Sequence, residues 1–380
     1  MKKIWKKGIV LIMSVTLLVT GLLIPSQINA ISQDDFIQGF VDVDMANRPK
    51  TRWWVPGSHM TKDEIEAEIK SMVAAGFGGA EIVPVATGGE GGDSIDWGSE
   101  RWNEMIKHML QVASQYDFTI DFTMTPAWPL ALPTIKDVND LSQGAQMELD
   151  GAYQDGITKE NPFNGVLPMA KEVEDDVAKV NGKIELQAVT IAKYIDKENK
   201  ILDFDSSISL DLDSDVSYVD GNYQTTWVPE DDGEYVLFAW WQHPSGNQKY
   251  GNNQVDHYSK AGTQMIIDYW ENNLIPYYGE DFKNVESLFI DSLEFETHLD
   301  WTYGLLEGFK EKNNYDIAAY LPALYDQDAI GNYIGDPEPD FTFNKNSEQL
   351  QNDFKDYLTD LYIENHIKPL QEFCSKHGVK

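Results

Sequence analysis

Strand and helix signals alternate after residue 50, and this alternation limits the possible folds more than any other feature of the sequence. Residues 51–56 contain two tryptophans and a valine and run into a Pro-Gly pair, which predicts a strand. Thr61 follows with Glu64 three residues later, the pattern of a capping box at the start of a helix. The alternation continues with a predicted strand at 80–85, a helix at 99–116 and a strand at 118–125. Strands that alternate with helices predict a parallel sheet covered by helices.

The glycines between the first predicted helix and the second predicted strand argue against a nucleotide-binding fold. Gly76, Gly78 and Gly79 come after a helix and before a strand. A dinucleotide-binding loop requires the reverse order, a strand followed by the glycines and then a helix. We therefore interpret these glycines as a helix cap and a tight turn, and we predict an α/β fold of the (β/α)8 TIM-barrel type for this part of the chain.

The pattern changes to a period of two in the middle of the chain. Alternating or continuous apolar segments lie at 186–192, 223–227 and 235–241, and turn residues separate them. These segments predict a β-rich, sandwich-like domain inserted into the barrel after its third strand. Within it, Trp240 and Trp241 are interpreted as buried aromatic residues, with stacking on a sugar as the alternative. The expected division is barrel at 31–142, inserted domain at 143–250 and barrel again at 251–380.

Strand and helix signals alternate again after residue 250. The predicted elements are a helix at 259–278, a strand around Leu288, a helix at 301–313 and a long helix at 347–377. With the three earlier strands this makes four barrel strands, half of the eight that close such a barrel. An open half-barrel would expose the edges of parallel strands, so we expect the chain to be the first part of a longer barrel.

The first 30 residues have the features of a secretory signal peptide. Lysines at positions 2, 3, 6 and 7 precede an apolar run over 8–24, and Ala30 stands at the expected cleavage site. The apolar run is short for a membrane span, and it is followed by Pro25. We expect residues 1–30 to be removed and the remaining chain to be secreted, extracellular and not bound to a membrane. An uncleaved membrane anchor is the alternative.

The charge of the chain excludes one class of partner. The sequence has 63 acidic and 29 basic side chains and a net charge of −34. Such a chain repels phosphate backbones, so nucleic acid is not an expected partner. Hydrophobic residues make up 42% of the sequence, which is enough for a packed core. The single cysteine, Cys374, leaves no intramolecular disulfide, and the sequence does not indicate an oligomeric state.

An apolar run that ends in carboxylates is the strongest indication of a chemical site. Leu288, Phe289 and Ile290 suit a strand covered on both faces. Asp291 and Glu294 follow where that strand should emerge. In parallel α/β folds, active sites lie at this end of the strands. Acids grouped in this way alter one another's affinity for protons, which favours a functional site over solvated loop residues.

Residues in two stretches of the chain match the pattern of one family. The first stretch contains Arg52-Trp53-Trp54, Pro56-Gly57, Thr61, Glu64, Ile65 and the segment 72–82. The second contains Asp291-Ser292-Leu293-Glu294, Asp300-Trp301-Thr302 and the segment 315–324. Together they resemble glycoside hydrolase family 106, the α-L-rhamnosidases, over both predicted barrel segments. Members of that family usually carry a histidine directly after the tryptophans, whereas here His59 comes later.

The resemblance implies hydrolysis of terminal α-L-rhamnose from plant or microbial polysaccharides or glycosides, with inversion at the anomeric carbon and with calcium assisting. Such a reaction needs one carboxylic acid to protonate the leaving oxygen and a second carboxylate. Glu294 is the candidate acid, because apolar neighbours such as Leu293 and Phe295 favour the protonated form of a carboxyl group. Asp291 is expected to orient a partner or to bind a hydroxyl group. The resemblance places the second carboxylate on a later strand, beyond Lys380.

Four further residues are candidates for binding the sugar. Glu81 is predicted at the end of the second strand, where its carboxylate can bind a hydroxyl group; a role as the second catalytic carboxylate is the alternative. Trp54, His59 and Trp128 lie at predicted strand ends or in the loops that follow, where an aromatic face suits the apolar side of a sugar. Core packing is the alternative for these aromatic residues. The sequence indicates no metal ligands.

Two other functions stay open on the sequence alone. One is a secreted glycan-binding protein without catalysis, and the other is an extracellular scaffold with an inactive partial barrel. A continuing reading frame with more strand-helix units and an acid at a strand end would favour the enzyme over both.

Overall fold

A computed structural model describes residues 33–56, 60–85, 97–126, 128–169, 183–291, 293–326 and 338–380. The chain divides into two units, Met1–Arg48 and Pro49–Lys380. In the first unit the described residues form helix α1 (Gln33–Val41) and a 3-10 turn (Met45–Asn47). Within the described residues, no helix is both long enough and apolar enough to cross a membrane. The predicted signal peptide at 1–30 lies outside the described residues, so its cleavage stays a prediction.

The second unit contains both helices and strands. Its helices are α2 (Lys62–Ala74), α3 (Glu100–Ser114), α4 (Lys260–Tyr269), α5 (Ile275–Tyr278), α6 (Leu305–Asn313), α7 (Ser347–Tyr362) and α8 (Lys368–His377). Its strands are β1 (Lys50–Pro56), β2 (Gly79–Val85), β3 (Thr119–Thr123), β4 (Ala131–Leu132), β5 (Met147–Ile157), β6 (Phe163–Val166), β7 (Glu185–Asp196), β8 (Ile201–Leu202), β9 (Ile208–Ser209), β10 (Val216–Val219), β11 (Asn222–Trp227), β12 (Tyr235–Pro244), β13 (Gln248–Lys249), β14 (Asn252–Gln254), β15 (Val285–Phe289), β16 (Asp300–Trp301) and β17 (Thr342–Phe343). Two π-helical segments, Trp270–Leu274 and Ile363–Ile367, join α4 to α5 and α7 to α8.

Strands β1, β2, β3 and β15 form a parallel sheet in that order. The predicted capping box is present at the start of α2, where the side chain of Thr61 accepts a hydrogen bond from the backbone of Glu64 and the Glu64 carboxylate accepts one in return. Helices α2 and α3 connect the first three strands and bury Ile65, Ile69 and Ile106. The parallel sheet and its helical connections therefore agree with the sequence. The described strands form an open sheet, and closure into a TIM barrel stays a prediction.

The two faces of this sheet differ in chemistry, because alternate residues of a strand point to opposite faces. One face carries buried apolar residues such as Ile82, Ile120 and Phe122. The other face carries a set of charged residues: Lys50, Arg52, Glu81, Asp121 and Glu286. We expected residues 288–290 to be buried on both sides, but they are half-buried. Of these, Phe289 lies on the charged face beside Arg52, and that face stays partly open to solvent.

A second sheet is largely antiparallel, with the order β16-β5-β12-β7-β8-β17 and β9 beside β7. Strand β12 lies near its centre, and all ten of its residues are buried. Trp240 and Trp241 belong to separate apolar clusters on the two faces of this strand. Their indole N–H groups donate to the hydroxyl of Thr190 and the backbone oxygen of Pro168. The interpretation of both tryptophans as buried aromatic residues is confirmed.

Two strands of this sheet come from outside the predicted inserted segment. Trp301 of β16 pairs with Met147 of β5, and Phe343 of β17 pairs with Leu202 of β8. The apolar cluster around Trp240 also includes later residues, among them Phe295, Phe309 and Phe354. The β-rich segment therefore shares its core with residues that follow it. The proposed domain limits at 143 and 250 stay a prediction.

The helix predicted at 301–313 begins later than expected. Asp300 and Trp301 pair with Glu148 and Met147 of β5 instead, and Gly304, with a φ of 76°, precedes the first residue of α6. Pairing with a distant strand is invisible to helical periodicity, which explains the difference.

The last residue of the chain continues the parallel sheet. The backbone N–H of Lys380 donates to the oxygen of Glu286 (2.8 Å), and the oxygen of Lys380 accepts from the N–H of Leu288 (3.0 Å). This is parallel pairing with β15.

Candidate functional site

An arginine on the charged face of the parallel sheet brings several predicted site residues together. Arg52 of β1 lies directly beside Glu81 of β2. Its Nε and Nη2 atoms each donate a hydrogen bond of 3.3 Å to Oε2 of Glu81. Its Nη1 atom lies 3.6 Å from Oδ2 of Asp291, which follows β15. The guanidinium therefore links β2 to the segment after β15 across the sheet.

Aromatic rings surround the same guanidinium. Its Cζ atom lies 5.0 Å from the ring centroid of Phe289, 5.4 Å from that of Trp54 and 5.9 Å from that of Trp128. The two tryptophan rings are 6.5 Å apart and tilted by 57°. Because Trp54 is 48% exposed, part of its ring is accessible to a ligand. We call the following residues the Arg52 cluster: Arg52, Trp54, Glu81, Trp128, Phe289 and Asp291.

The Arg52 cluster combines donors and acceptors of hydrogen bonds. Burial raises the pKa of Glu81; the charge and hydrogen bonds of Arg52 oppose this rise, and the charges of Asp121 and Asp291 add to it. The guanidinium can only donate hydrogen bonds, and ionised carboxylates only accept them. A ligand with several hydroxyl groups can match both, because a hydroxyl group donates and accepts.

The structure places four of the predicted site residues in this cluster: Trp54, Glu81, Trp128 and Asp291. Glu81 was predicted at the end of its strand, but it is the third residue of β2. It joins the cluster because the long side chain of Arg52 spans the distance to the strand ends. The sequence analysis missed Arg52 as a site residue, although its position two residues before Trp54 puts both on one face of β1. His59 lies outside the described residues.

A second charged layer lies beside the Arg52 cluster, toward the beginnings of the strands. Nζ of Lys50 lies 2.7 Å from Oδ2 of Asp121 and 2.8 Å from Oε2 of Glu286. Asp121 also accepts a hydrogen bond of 2.9 Å from the backbone N–H of Ser287. Hydrogen bonds from Lys380 and Lys50 lower the pKa of Glu286 to about 2. These groups satisfy one another and hold β1, β3 and β15 together.

The predicted acid, Glu294, follows Asp291 on the same segment and is half-buried. Its neighbour Phe295 is buried and packs against the rings of His257 and Tyr258. Leu293 on its other side is also half-buried. The apolar neighbours that the sequence led us to expect are therefore in place, and the role of Glu294 as a proton donor stays a prediction.

A second group of titratable side chains is buried on the antiparallel sheet. Glu148 and Asp150 lie on β5, His243 lies on β12, and His298 lies between β15 and β16. Oδ2 of Asp150 is 2.8 Å from Nε2 of His243, and Oδ1 accepts a hydrogen bond of 3.2 Å from the hydroxyl of Tyr325. Nδ1 of His298 lies 2.8 Å from Oδ1 of Asp150 and 3.8 Å from Oε2 of Glu148. We call Glu148, Asp150, His243 and His298 the Asp150 cluster.

The environment of the Asp150 cluster favours charged histidines. Burial lowers the pKa of His298, but the attraction of Asp150 and Glu148 outweighs burial and raises the pKa to about 10. The pKa of His243 is also raised, because Asp150, Glu148 and the backbone oxygen of Pro244 outweigh its burial. Burial raises the pKa of Asp150, but the two histidines outweigh burial and hold the pKa well below its usual range.

The sequence analysis missed the Asp150 cluster because its members are far apart in the chain. The available signal was weak: Glu148 and Asp150 are two residues apart, so they share one face of a predicted strand. A pair of acids at that spacing is usually a solvated strand face, and only the pairing of β5 with β12 and β16 buries it.

Among the described residues, the Asp150 cluster meets the distance requirement for a metal ion. One ligand atom from each of Glu148, Asp150 and His298 lies within 4.8 Å of the other two. Calcium, which the family resemblance implies, takes oxygen ligands. A group that includes an imidazole nitrogen does not fit calcium, so the expected calcium stays a prediction with no ligands assigned.

A cavity of about 380 Å³ lies beside His298. The rings of Tyr258, Phe354 and Tyr362 line it, together with Asp300. Asp300 accepts hydrogen bonds from the hydroxyls of Tyr258 (2.9 Å) and Thr297. The cavity shares no lining residue with the Arg52 cluster, so the two features are separate.

Comparison with known proteins identifies a structural relative. No family model matches the chain, and no curated protein matches its sequence. The solved structure of a rhamnosidase from Novosphingobium sp. PP1Y matches the chain with a TM-score of 0.57 and 13% sequence identity. The match covers 90% of this chain and 46% of the rhamnosidase, so the chain spans about half the length of that structure. This chain therefore shares a mixed α/β fold with part of a rhamnosidase.

Proposed function

We propose that this chain is the sugar-binding and acid-bearing part of a secreted glycoside hydrolase of the family 106 type, which removes terminal α-L-rhamnose with inversion. The main support is the Arg52 cluster, in which a guanidinium and two carboxylates lie beside a half-exposed tryptophan. The likeness to part of a rhamnosidase supports the same substrate class. The expected substrates are plant or microbial polysaccharides and glycosides with terminal rhamnose.

The proposed architecture is a partial barrel with an inserted domain. The parallel sheet of β1, β2, β3 and β15 is the first half of a (β/α)8 barrel, and the β-rich segment at 143–250 is a domain inserted after its third strand. The order of the four strands and the pairing of Lys380 with β15 support this arrangement.

In this proposal the Arg52 cluster binds the sugar ring. Trp54 and Trp128 contact the apolar side of the ring, as aromatic faces do in carbohydrate sites. Arg52 donates to the oxygen atoms of the sugar, while Glu81 and Asp291 accept from its hydroxyl groups. Because the guanidinium already contacts both carboxylates, their positions are set before the ligand arrives.

Glu294 is the proposed general acid of the reaction. Its carboxyl group donates a proton to the leaving oxygen as the glycosidic bond breaks. In an inverting mechanism a second carboxylate activates the attacking water on the opposite face of the sugar. In the family that the chain resembles, this second carboxylate lies on a later strand.

Secretion and calcium complete the proposal, and both rest on the sequence. The basic head and apolar run of residues 1–30 support export and cleavage. Calcium enters only through the family resemblance. Carbohydrate is the proposed partner, and neither nucleic acid nor a membrane is expected to bind the mature chain.

One observation favours a second candidate function, a secreted glycan-binding protein without catalysis. Both carboxylates of the Arg52 cluster contact the same guanidinium. Carboxylates paired in this way are better suited to hold a hydroxyl group than to activate water.

Binding of L-rhamnose to the 380-residue chain, followed by tryptophan fluorescence and calorimetry, tests the sugar site. Arg52→Met removes the guanidinium, and Trp54→Ala removes the accessible ring. Each is expected to weaken binding by about 1–2 kcal/mol, about 5- to 30-fold. The matched controls are Arg48→Met, which removes a guanidinium in the first unit, and Tyr218→Ala, which removes an exposed ring on β10. Neither control is expected to change the affinity.

Three outcomes separate the possibilities. Equal affinity in all four variants, or equal affinity for L-rhamnose and D-galactose, would contradict the sugar site. Release of β-L-rhamnose as the first product from an aryl α-L-rhamnoside, observed by NMR with the protein as its host secretes it, would support the inverting enzyme. Specific binding without any product would support the glycan-binding protein.

A further inference from the structure

The Asp150 cluster contains a buried ring nitrogen that makes no hydrogen bond. The side chain of His298 is 10% exposed, and its Nδ1 atom has no hydrogen-bond partner among the described residues. Oδ1 of Asp150 is only 2.8 Å away, but the ring N–H is not directed at it. A buried polar group left unsatisfied costs about 1–3 kcal/mol, so such an atom requires an explanation.

We propose that Glu148, Asp150 and His298 bind a divalent transition-metal ion, with zinc as the best match; the ion takes the place of the proton on Nδ1 of His298, which is released to solvent. The ligand set is one imidazole nitrogen and two carboxylate oxygens. Zinc accepts such mixed nitrogen and oxygen ligands, whereas calcium and magnesium prefer oxygen alone.

The distances agree with a tetrahedral ion. Ligands that lie 2.0–2.2 Å from a tetrahedral zinc are separated from one another by about 3.3–3.5 Å. The separations of Nδ1 of His298 from the oxygens of Asp150 and Glu148 are 2.8 and 3.8 Å, which bracket that value. To reach ligand positions, the 2.8 Å separation would widen by about 0.5–0.7 Å and the 3.8 Å separation would shorten by about 0.3–0.5 Å.

Neighbouring groups already fix the orientation of both carboxylates. Nδ1 of His243 lies 2.8 Å from the backbone oxygen of Pro244 and Nε2 faces a carboxylate oxygen, so both ring nitrogens carry a hydrogen and the ring is held in place. Nε2 of His243 donates to Oδ2 of Asp150 at 2.8 Å, and Oδ1 of Asp150 therefore faces His298. The backbone N–H of His298 donates to Oε2 of Glu148 at 3.2 Å. Outer contacts of this kind orient metal ligands, so His243 is a positioning residue.

The ion would connect two parts of the second unit. Glu148 and Asp150 belong to β5, whereas His298 belongs to the segment after β15 that also carries Asp291 and Glu294. A bound ion would fix that segment against the antiparallel sheet. His298 also lines the cavity of about 380 Å³, which offers an entry path. No step of the proposed sugar chemistry involves this ion.

Calorimetric titration of the chelator-treated 380-residue chain with Zn²⁺, Ca²⁺ and Mg²⁺ tests the proposal. We expect one zinc ion per chain, binding by calcium and magnesium at least about 100-fold weaker, and a higher Tm with zinc. His298→Gln and Glu148→Gln each remove one ligand at similar size. Each is expected to weaken zinc binding by more than about 100-fold, and His243→Gln by about 10- to 100-fold.

The matched control is His377→Gln, because Nε2 of His377 lies 3.2 Å from the carboxylate of Glu271 at the protein surface. This variant is expected to bind zinc as the wild type does. Unchanged zinc affinity in both His298→Gln and Glu148→Gln would overturn the site.

Cobalt provides a readout that does not depend on the folding of any variant. Co²⁺ in a tetrahedral nitrogen and oxygen environment absorbs visible light, so the wild-type chain is expected to show such bands and to lose them when zinc is added. Absence of these bands, or of any zinc binding by the wild-type chain, would overturn the proposal.

Discussion

The Arg52 cluster and the Asp150 cluster both combine two carboxylates with cationic side chains, but they differ in burial and in distance. The side chain of Arg52 is 33% exposed, and its contacts with Glu81 and Asp291 are 3.3 and 3.6 Å long. The side chain of Asp150 is 3% exposed and lies 2.8 Å from each of two histidines. Because charges interact more strongly where water is excluded, the Asp150 cluster is suited to hold the fold together. The Arg52 cluster keeps its charges accessible to a ligand.

The surroundings of the two clusters support the same distinction. Trp54 and Trp128 border the Arg52 cluster, and Trp54 is exposed over about half of its surface. Strands β5 and β12 surround the Asp150 cluster, and β12 is buried along its whole length. Similar charged groups therefore lie in different surroundings: solvent access suits the Arg52 cluster to the proposed sugar, and burial suits the Asp150 cluster to the proposed metal ion.

The largest effect is expected from Glu294→Gln, which tests whether the segment beside the Arg52 cluster carries chemistry. The change keeps the shape of the side chain but removes the proton that the leaving oxygen needs. Turnover of an unactivated rhamnoside by the protein isolated from its host should fall by about 10²- to 10⁴-fold. An aryl rhamnoside with a good leaving group should lose less, because its oxygen needs little protonation.

Asp291→Asn is the control for that experiment. It should slow both substrates to a similar degree, because Asp291 is expected to position groups rather than to transfer a proton. Equal losses on the two substrates for Glu294→Gln would remove Glu294 from the role of acid.

The second-largest effect is on stability, and its absence would contradict the difference between the buried and the exposed cluster. Asp150→Asn leaves two buried histidines without their shared carboxylate, so the free energy of unfolding in chelator-treated protein should fall by about 3–5 kcal/mol. The control is Asp205→Asn, which removes one partner of an exposed pair with Lys345 and should change stability far less. Urea denaturation measures both, and similar losses would show that burial does not distinguish these pairs.

Taken per pH unit, the smallest effect is the pH dependence of that stability. The folded pKa of His298 is raised to about 10, and that of His243 is also raised. Their stabilisation is fully present below the pKa of an unfolded histidine, about 6.5, and is lost as the pH rises toward the folded values. The contribution of Asp150 to stability changes with pH in the opposite direction. Its pKa is lowered, so this contribution is present above about pH 4 and is lost on acidification.

Stability should therefore decline above about pH 6.5, by up to about 1.4 kcal/mol per pH unit for each histidine. Urea midpoints of chelator-treated protein between pH 5 and pH 9 provide the measurement. Asp150→Asn should flatten the decline, because the histidines lose the carboxylate that raises their pKa. If the stability of the wild type and that of Asp150→Asn declined equally over this pH range, Asp150 would not be the group that raises the pKa of the two histidines.

Local patterns in the sequence were enough to predict most of the elements around the Arg52 cluster. The capping box at Thr61 and Glu64 and the strands β1, β2 and β3 are present close to the predicted limits. Trp54, Glu81, Trp128 and Asp291 were selected because they lie at or near strand ends, and strands in parallel order bring such residues together. The placement of Glu81 at the end of the second strand was wrong, because the predicted strand at 80–85 already puts this residue near its beginning, as β2 does.

The sequence by itself determined which segments become strands and helices, and that an acidic segment follows an apolar strand, because these features depend on side chains close together in the chain. Only the tertiary structure decided that Arg52 bridges Glu81 and Asp291, and that Glu148, Asp150, His243 and His298 meet in one buried cluster. These contacts depend on which strands pair and in which register. Pairing of distant strands is set by the packing of the whole core, and no local pattern of residues encodes it.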